Sequence, residues 1–417
     1  MSSGASLVST QNHVQAPFII VKIGDYTFGH CDKIYKNKLQ TQFSITYPNY
    51  MESLSIVKIN GAINRYTISM IYAITHEDDP NKLEKVFSSV SSTRMLKLSY
   101  GDWNSPAFIY KDEEAIITKL TSKVNLSNST IQYTVECTSN ALSLTAGTFS
   151  FPARRDKPSD VVIELLTNTR YNLQSVFKGM KNMTRVMLDA LIARDDSEVD
   201  IEARTSITLL DYISYLVSCM VFIGDSSKTI KNSCYFWSVY DDTSGKYGGT
   251  YFRIQRVDAN TSTAVSYNTY EVDIGYPTAE CITDFSVTND DSWALLYDYS
   301  KKIQLPEKTY EIDNSGKIVI HEDDYITKSR ETFKTTEATR NWWSMMTQFP
   351  IKATLTMKGL LRPAMLMSYV KVNTYFYGHK HVSSGLYIIT KQQDTINSSG
   401  YKTTLELTRV GGDESYA

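Results

Sequence analysis

The side chains that could hold a metal, attack a carbonyl or move a proton are six histidines, five cysteines and 45 acidic residues. The tightest histidine spacing is His379-Lys380-His381, which in a strand would set both rings on one face, as a two-ligand metal site needs. No cysteine or carboxylate stands beside it, and the flanking "YFYG" and "VSSG" read as a hairpin tip, so the triplet reads as a solvated loop. The other histidines are His13, His30, His76 and His321. Cys31, Cys137, Cys219, Cys234 and Cys281 are odd in number and no two have C-x-x-C spacing. That pattern excludes a disulfide framework and a zinc ribbon and predicts buried thiols in a reducing compartment. Adjacent acids occur at Asp78-Asp79, Asp195-Asp196, Asp290-Asp291 and Asp323-Asp324. A glycosidase holds two carboxylates across a cleft, which adjacency in sequence does not supply. Asp79 before Pro80 reads as a helix cap, and "NDDS" and "HEDD" read as turns. There is no G-x-S-x-G, P-loop, G-x-G-x-x-G or H-E-x-x-H. Trp342-Trp343 could stack a sugar or anchor an interface; packing where a β region resumes is the commoner outcome. These residues predict no catalytic, cofactor-binding or metal site.

The rest of the chain is written for packing. Its 417 residues predict two or three domains, and 42% hydrophobic content supplies their cores. Lys+Arg 43 against Asp+Glu 45 excludes a protein that wraps nucleic acid, but not one whose channel nucleic acid passes through. The 29 tyrosines, against 10 prolines and 19 glycines, predict a β-rich protein with large contact surfaces. Met1–Ala16 is small and polar, without the basic and apolar regions of a signal peptide. The longest apolar stretch, Leu209–Gly224, carries Asp211 and is too short and polar to span a bilayer. The expected setting is therefore a cytoplasm, with no membrane insertion.

Residues 1–16 read as a flexible arm. Residues 17–147 read as a β domain with one helix. "PFIIVKIGDYTFG" is a hairpin turning at Gly24-Asp25. "DDPNKLEKVFSSV" is a helix of about three turns opened by Pro80, with Leu83, Phe87 and Val90 on one apolar stripe. Residues 148–232 read as a mostly helical connector. Pro158 enters one helix with Asp156 or Ser159 as cap, and "FKGMKNMTRVMLDALIARDD" is a second. Thr208 and Asp211 form a capping-box pattern ahead of a third helix lined by Leu209, Ile213, Leu216 and Met220. Met180, Met183 and Met187 read as packing. Residues 233–417 read as a second β domain with a polar insertion at 300–340 that contains a hairpin around Asp313–Gly316.

A pattern occurs twice. Ile116-Ile117-Thr118-Lys119 and Ile388-Ile389-Thr390-Lys391 each end an apolar run, and "VNLSNST" and "TINSSG" each follow. Each copy then resumes with a strand, Thr134–Thr138 or Thr404–Thr408, that reads Thr-x-Glu-x-Thr. The shared order predicts a duplicated β domain. Three such chains would present six similar units about one axis, so a trimer could meet a three-fold partner on one side and a six-fold ring on the other.

The closing segment resembles the C-terminus of baseplate hub proteins of contractile-tailed bacteriophages and related injection particles. The matching elements are "ATLTMKGLLRPAMLMSYVKV", "SGLYIITK" and "SSGYKTTLELTRV", with Gly359, Leu361-Arg362-Pro363, Gly385, Tyr387, Gly400 and Tyr401 at the family's turn positions. Ala364 stands where the family has a glycine. The resemblance implies a mainly β (α+β) fold: two tail-tube-like barrel or sandwich domains joined by a small helical region. It implies a non-enzymatic homotrimeric hub in the virion tail baseplate, assembled in the host cytoplasm. The implied partners are the central spike protein, the tail tube or tube-initiator protein, the tape-measure protein and baseplate wedge proteins, with DNA as transient cargo in the channel. No cofactor is implied. The alternative readings are a tail-tip protein of a long non-contractile tail and a carbohydrate-binding or hydrolytic tail protein. The interface residues expected are strand edges and exposed Tyr and Trp at the seams.

Overall fold

The computed structural model describes residues 16–31, 44–45, 47–48, 50–75, 81–89, 95–103, 110–171, 173–180, 185–220, 234–241, 250–257, 270–273, 276–277, 282–289, 309–312, 318–321, 351–358, 366–372, 374–376, 379–381 and 383–411. Alternation of apolar and polar residues sets the first β region. Its strands are β1 (Pro17–Ile23), β2 (Tyr26–Cys31), β3 (Tyr47–Pro48), β4 (Met51–Ile59), β5 (Arg65–Ala73), β6 (Met95–Asp102), β7 (Tyr110–Asn125) and β8 (Thr130–Thr138). β8 alternates half-buried and buried along its whole length, so one face meets the core and the other meets water. The hairpin expected at Gly24-Asp25 forms: Ile23 pairs with Tyr26, and Gly24 takes φ +56°, which a residue without Cβ adopts freely. Helix α1 (Lys82–Ser89) packs Val86 into this core and sets Phe87 5.8 Å from the ring of Tyr133. Phe87 of the expected stripe packs partly buried against the core, and Val86, which the stripe omitted, is fully buried beside it. The proposed cap at Asp79-Pro80, the side chain of Leu83, and Val90 lie outside the described residues.

Among its described residues the region after Gly147 carries short strands as well as the expected helices. It carries strands β9 (Thr148–Phe151), β10 (Arg154–Asp156), β11 (Val199–Ile201) and β12 (Arg204–Thr208), paired β9 with β12 and β10 with β11. Its helices are α2 (Pro158–Thr167), α3 (Leu173–Val176), α4 (Arg185–Asp189) and α5 (Leu209–Cys219). Helix α2 starts at Pro158 as expected, but its cap comes from far away. Asp196, buried, accepts from the Ser159 amide at 2.9 Å and the Ser159 hydroxyl at 2.5 Å, satisfying donors that a helix start leaves open. Among the described residues, the stretch expected as a second helix holds a 3-10 turn at Lys178–Met180 and the short α4. Met180 is buried there, Met187 is half exposed, and Met183 lies outside the described residues, so the methionines are not one packed stripe. Helix α5 matches its reading: the Thr208 hydroxyl accepts from the Asp211 amide at 3.1 Å, and Leu209, Ile213, Leu216 and Met220 are buried.

The last part contains β13 (Cys234–Asp241), β14 (Thr250–Val257), β15 (Tyr270–Asp273), β16 (Tyr276–Pro277), β17 (Ile282–Asn289), β18 (Thr309–Ile312) and β19 (Ile318–His321). It continues with β20 (Ile351–Lys358), β21 (Tyr369–Val372), β22 (Thr374–Phe376), β23 (His379–Lys380), β24 (Gly385–Asn397) and β25 (Gly400–Gly411). β18 and β19 pair antiparallel as the expected hairpin, whose connecting residues 313–317 lie outside the described residues. The β13–β14 hairpin divides its faces. Tyr235, Trp237, Val239, Phe252 and Ile254 join the core of the helical region, Phe236 leans on the core of the last β region, and Tyr251 touches both. The two β regions share one 13-stranded sheet in the order β17-β20-β25-β24-β4-β5-β8-β7-β6-β1-β2-β3, with β21 on β24. The fold is mainly β, as expected. Tyr66, Tyr100, Tyr133, Tyr212 and Tyr387 are among its largest fully buried side chains. These tyrosines build core. Among the described residues no helix is long and apolar enough to cross a membrane.

Candidate functional site

The repeated tetrapeptide marks the same place in two copies of one hairpin. In β7–β8, Ile116 faces Thr138, Ile117 faces Cys137, Thr118 is skipped, and Lys119 faces Glu136. In β24–β25, Ile388 faces Thr408, Ile389 faces Leu407, Thr390 is skipped, and Lys391 faces Glu406. The skipped threonine is a β-bulge, one extra residue that bends its strand. Each bulge threonine donates its hydroxyl to the carbonyl of the facing glutamate: Thr118 to Glu136 at 3.0 Å and Thr390 to Glu406 at 3.2 Å. Each lysine then reaches that glutamate's carboxylate, at 3.0 Å from Lys119 and 2.5 Å from Lys391. These partly exposed pairs contribute little stability; their value is that both copies have them. At the tips, the carboxamide of Asn125 accepts from the Ser127 amide at 3.2 Å, and that of Asn397 from the Ser399 amide at 2.9 Å.

The correspondence extends to strands the sequence reading did not match. β5 pairs β8 with Arg65 opposite Thr138, and β20 pairs β25 with Lys352 opposite Thr408. That aligns "RYTISMI" (65–71) with "KATLTMK" (352–358). β4 pairs β5 with an irregularity between Met51 and Ser53, and β17 pairs β20 with one between Ile282 and Asp284. That aligns "MESLSIV" (51–57) with "ITDFSVT" (282–288). The units β4-β5-β8-β7 and β17-β20-β25-β24 thus share strand order, register and both bulges. On the far side of the long strand, β6 sets Met95 opposite Ile116 and β21 sets Tyr369 opposite Ile388.

Beyond its bulge, β24 changes partner. Lys391–Ile396 pairs antiparallel with β4, Lys391 opposite Ile59 and Ile396 opposite Leu54. This is the seam between the units, and Ile396 and Tyr401 sit in the first unit's core. Next to it lies a buried polar network. The Lys58 ammonium is 2.9 Å from the Glu113 carboxylate, which also accepts from the hydroxyls of Tyr66 and, at 2.7 Å, Tyr100. Burial raises the Glu113 carboxyl, but Lys58 and the two tyrosines outweigh it and hold it below 4.5. Lys58 faces Gln392 across the seam. Asp394 accepts from Gln392 at 2.6 Å and Thr403 at 2.5 Å, yet burial dominates and raises its carboxyl above 3.8.

Residues with chemical potential are scattered elsewhere. His381 is exposed, with its Nδ1 2.8 Å from the Ser383 hydroxyl, and among the described residues no cluster could hold a metal. Asp195 accepts from Tyr235 at 3.0 Å and pairs with Arg256 at 2.7 Å, while its neighbour Asp196 caps α2. Burial, then Glu136, lifts the Cys137 thiol to about 12, which makes it inert; Cys219 is also buried. A depression of about 380 Å³ on the first β region holds Asp25 and Asp112. Its lining also includes Lys22 and Lys97 and no aromatic ring on which a sugar could stack. Asp78-Asp79, Asp290-Asp291, Asp323-Asp324, Trp342-Trp343 and the Leu361–Ala364 turn lie outside the described residues. Among the described residues the exposed large hydrophobics are Ile71, Val124, Leu126, Val186, Met187 and Val287, none of them a Tyr or Trp.

No protein-family model matches the sequence, and no curated protein matches it. Solved structures do match in shape. A tail protein from Neisseria meningitidis MC58 has a TM-score of 0.52 at 8% identity, over 94% of this chain and 96% of that one. The prophage MuSo2 43 kDa tail protein from Shewanella oneidensis has a TM-score of 0.49 at 10% identity, over 94% and 96%. A chain of the Francisella PdpA-VgrG complex has a TM-score of 0.49 at 11% identity, over 95% of this chain and 53% of that one. The mainly β chain, with its duplicated four-stranded unit, has the fold of a phage tail protein.

Proposed function

We propose that the chain is a structural tail protein, a trimeric baseplate hub that joins a hexameric tail tube to a trimeric central spike in the virion. Residues 17–147 and 233–417 supply one tube-like domain each, and residues 148–232 connect them. Three chains place six similar β units around a channel through which the genome and tape-measure protein pass. The observation that carries this reading is the duplication: one chain holds two units with the same strand order, registers and bulges. A duplicated unit lets a three-fold assembly offer a near six-fold face, so partners of both symmetries can dock on it. The protein acts through shape and contacts, and we assign it no catalysis. Native mass spectrometry at rising concentration tests this. An ion at three times the chain mass is expected, and a strictly monomeric or dimeric protein overturns the hub.

A further inference from the structure

Beside the seam lies a group of buried charges that the hub reading does not use. Lys58, Glu113 and Asp394 are 4%, 2% and 1% exposed. Among the described residues Lys58 is the only buried lysine or arginine, so one ammonium stands against two carboxyls. Lys58 lies 2.9 Å from Glu113, whose oxygens also accept from the hydroxyls of Tyr66 and Tyr100. A cation and two hydroxyls make Glu113 the ionised member of the group. With Lys58 and Glu113 both charged, the group is neutral only while Asp394 keeps its proton. An ionised Asp394 would leave one net negative charge in an interior closed to water, which burial strongly disfavours.

The bonds around Asp394 suit the neutral acid. Its Oδ2 is 2.6 Å from the Gln392 Nε2 and its Oδ1 is 2.5 Å from the Thr403 hydroxyl. A hydroxyl both donates and accepts, so Thr403 can take the carboxyl's proton while Gln392 donates to the other oxygen. The strands packed on β24 here are β4, β25 and β1. β4 sets Ile56 opposite Asp394 and brings Lys58; β25 brings Thr403 and the Tyr401 hydroxyl; the core-facing residues of β1 are Ile19, Val21 and Ile23. The other charged groups near these positions, Lys22, Glu52 and Lys402, are exposed, and Lys391 is taken by Glu406 on the opposite face. Burial outweighs Lys58 and the hydrogen bonds and keeps the carboxyl above 3.8. Position matters as much as charge. Asp394 lies in the half of β24 that crosses to β4, on the hairpin tip that carries Ile396 and Tyr401 into the first unit's core.

We infer that the seam is a proton-controlled clasp: Asp394 holds a proton in the folded chain, and its loss as pH rises unseats the tip of the β24–β25 hairpin from β4. The O–H bond of the carboxyl breaks, the proton passes to solvent, and the carboxylate gains water only when the tip lifts. Lys58 stays with Glu113 throughout. The proton binds the closed seam and not the open one, so it stabilises closure as a ligand does. The sign follows from a raised folded value: the stabilisation is full below the unfolded value and is lost as pH rises through the folded one. Before the bulge at Thr390, β24 stays paired with β21 and β25, so the motion is confined to the tip.

The test is amide hydrogen exchange of the full chain, wild type against Asp394→Asn, at matched pH values from about pH 5, where an exposed aspartate is already ionised. The asparagine keeps the neutral form's bonds: its oxygen accepts from Gln392 and its amide donates to Thr403. Intrinsic exchange is the same for both proteins at each pH, and Glu113 titrates in both. Relative to Asp394→Asn, wild-type protection of Lys391–Ile396 and Leu54–Ile59 should fall about tenfold per pH unit until the carboxyl ionises in place, while β1 and β6 hold. Equal protection in the two proteins at every pH shows that Asp394 stores no proton and overturns the proposal. A loss shared equally by β1 and β6 keeps the proton and overturns the clasp, because the unit then opens as a whole. Should Asp394→Asn not fold, wild type carries its own reference in the ratio of seam protection to β1–β6 protection across pH. A ratio that falls as pH rises supports the clasp, and a constant ratio overturns it.

Discussion

Glu113 and Lys58 lie 2.9 Å apart with side chains 0% and 6% exposed, so neither charge has water to fall back on. Glu113→Gln takes the carboxylate partner from the buried Lys58 ammonium and should cost about 3–5 kcal/mol at neutral pH, measured as the loss in unfolding free energy. The pH dependence has a definite sign. The folded carboxyl sits below 4.5, so its contribution is full above that value and is lost as pH falls through the folded pKa. The gap in Tm between wild type and Glu113→Gln should therefore close on acidification. A gap constant from neutral to acid pH contradicts the ion pair. Asp394 acts in the opposite sense: its carboxyl is held above 3.8, so its stabilisation is lost as pH rises through the folded value. Val124 belongs to another class. Because it is 58% exposed, Val124→Glu should lower stability by no more than a surface change does, about 0.5 kcal/mol, measured by thermal unfolding. A loss of several kcal/mol would show that Val124 packs in the folded chain. None of the buried network was legible beforehand, because Lys58, Glu113 and Asp394 come from three distant strands and meet only through pairing.

At the scale of elements, the bulges decide which strands meet. Thr118 and Thr390 each end one pairing and bend the strand toward the next. Deleting Thr390 would turn Gln392, Asp394 and Ile396 to the opposite face, so the deletion variant should lose the soluble folded chain. A folded, soluble product would show that the bulge does not set the seam. Hydrogen exchange reads the same idea without mutation. Amides of Lys391–Ile396 should be protected in the monomer, and those of Lys119–Val124 should exchange fast. Equal protection of the two stretches in the monomer contradicts an open β7 edge. The β7–β8 and β24–β25 hairpins were legible because alternation and the tetrapeptide lie close together in sequence. The β4–β5 and β17–β20 matches were not. Arg65 and Lys352 align, yet α1 and β6 separate β5 from β7, whereas β21 to β23 separate β20 from β24. "FKGMKNMTRVMLDALIARDD" has the apolar content of a helix, and its described residues include a 3-10 turn at Lys178–Met180 and the short helix α4, with Ala190–Asp196 non-helical. The far-off cap Asp196 could not be seen from α2's own sequence, because 37 residues separate it from Ser159.

At the scale of the whole molecule, one chain holds two like units joined by one seam, and among the described residues β7 beyond its bulge and β17 keep one edge unpaired; three chains in the proposed hub would set six such units about one axis. The most direct measurement is electron microscopy of the assembled protein, with end-on views classified before any symmetry is imposed. The account predicts rings of six similar lobes alternating between two kinds, so that averages sharpen under three-fold symmetry and blur slightly under six-fold. Rings with another number of lobes, open filaments, or closed dimers related by a two-fold axis would contradict it.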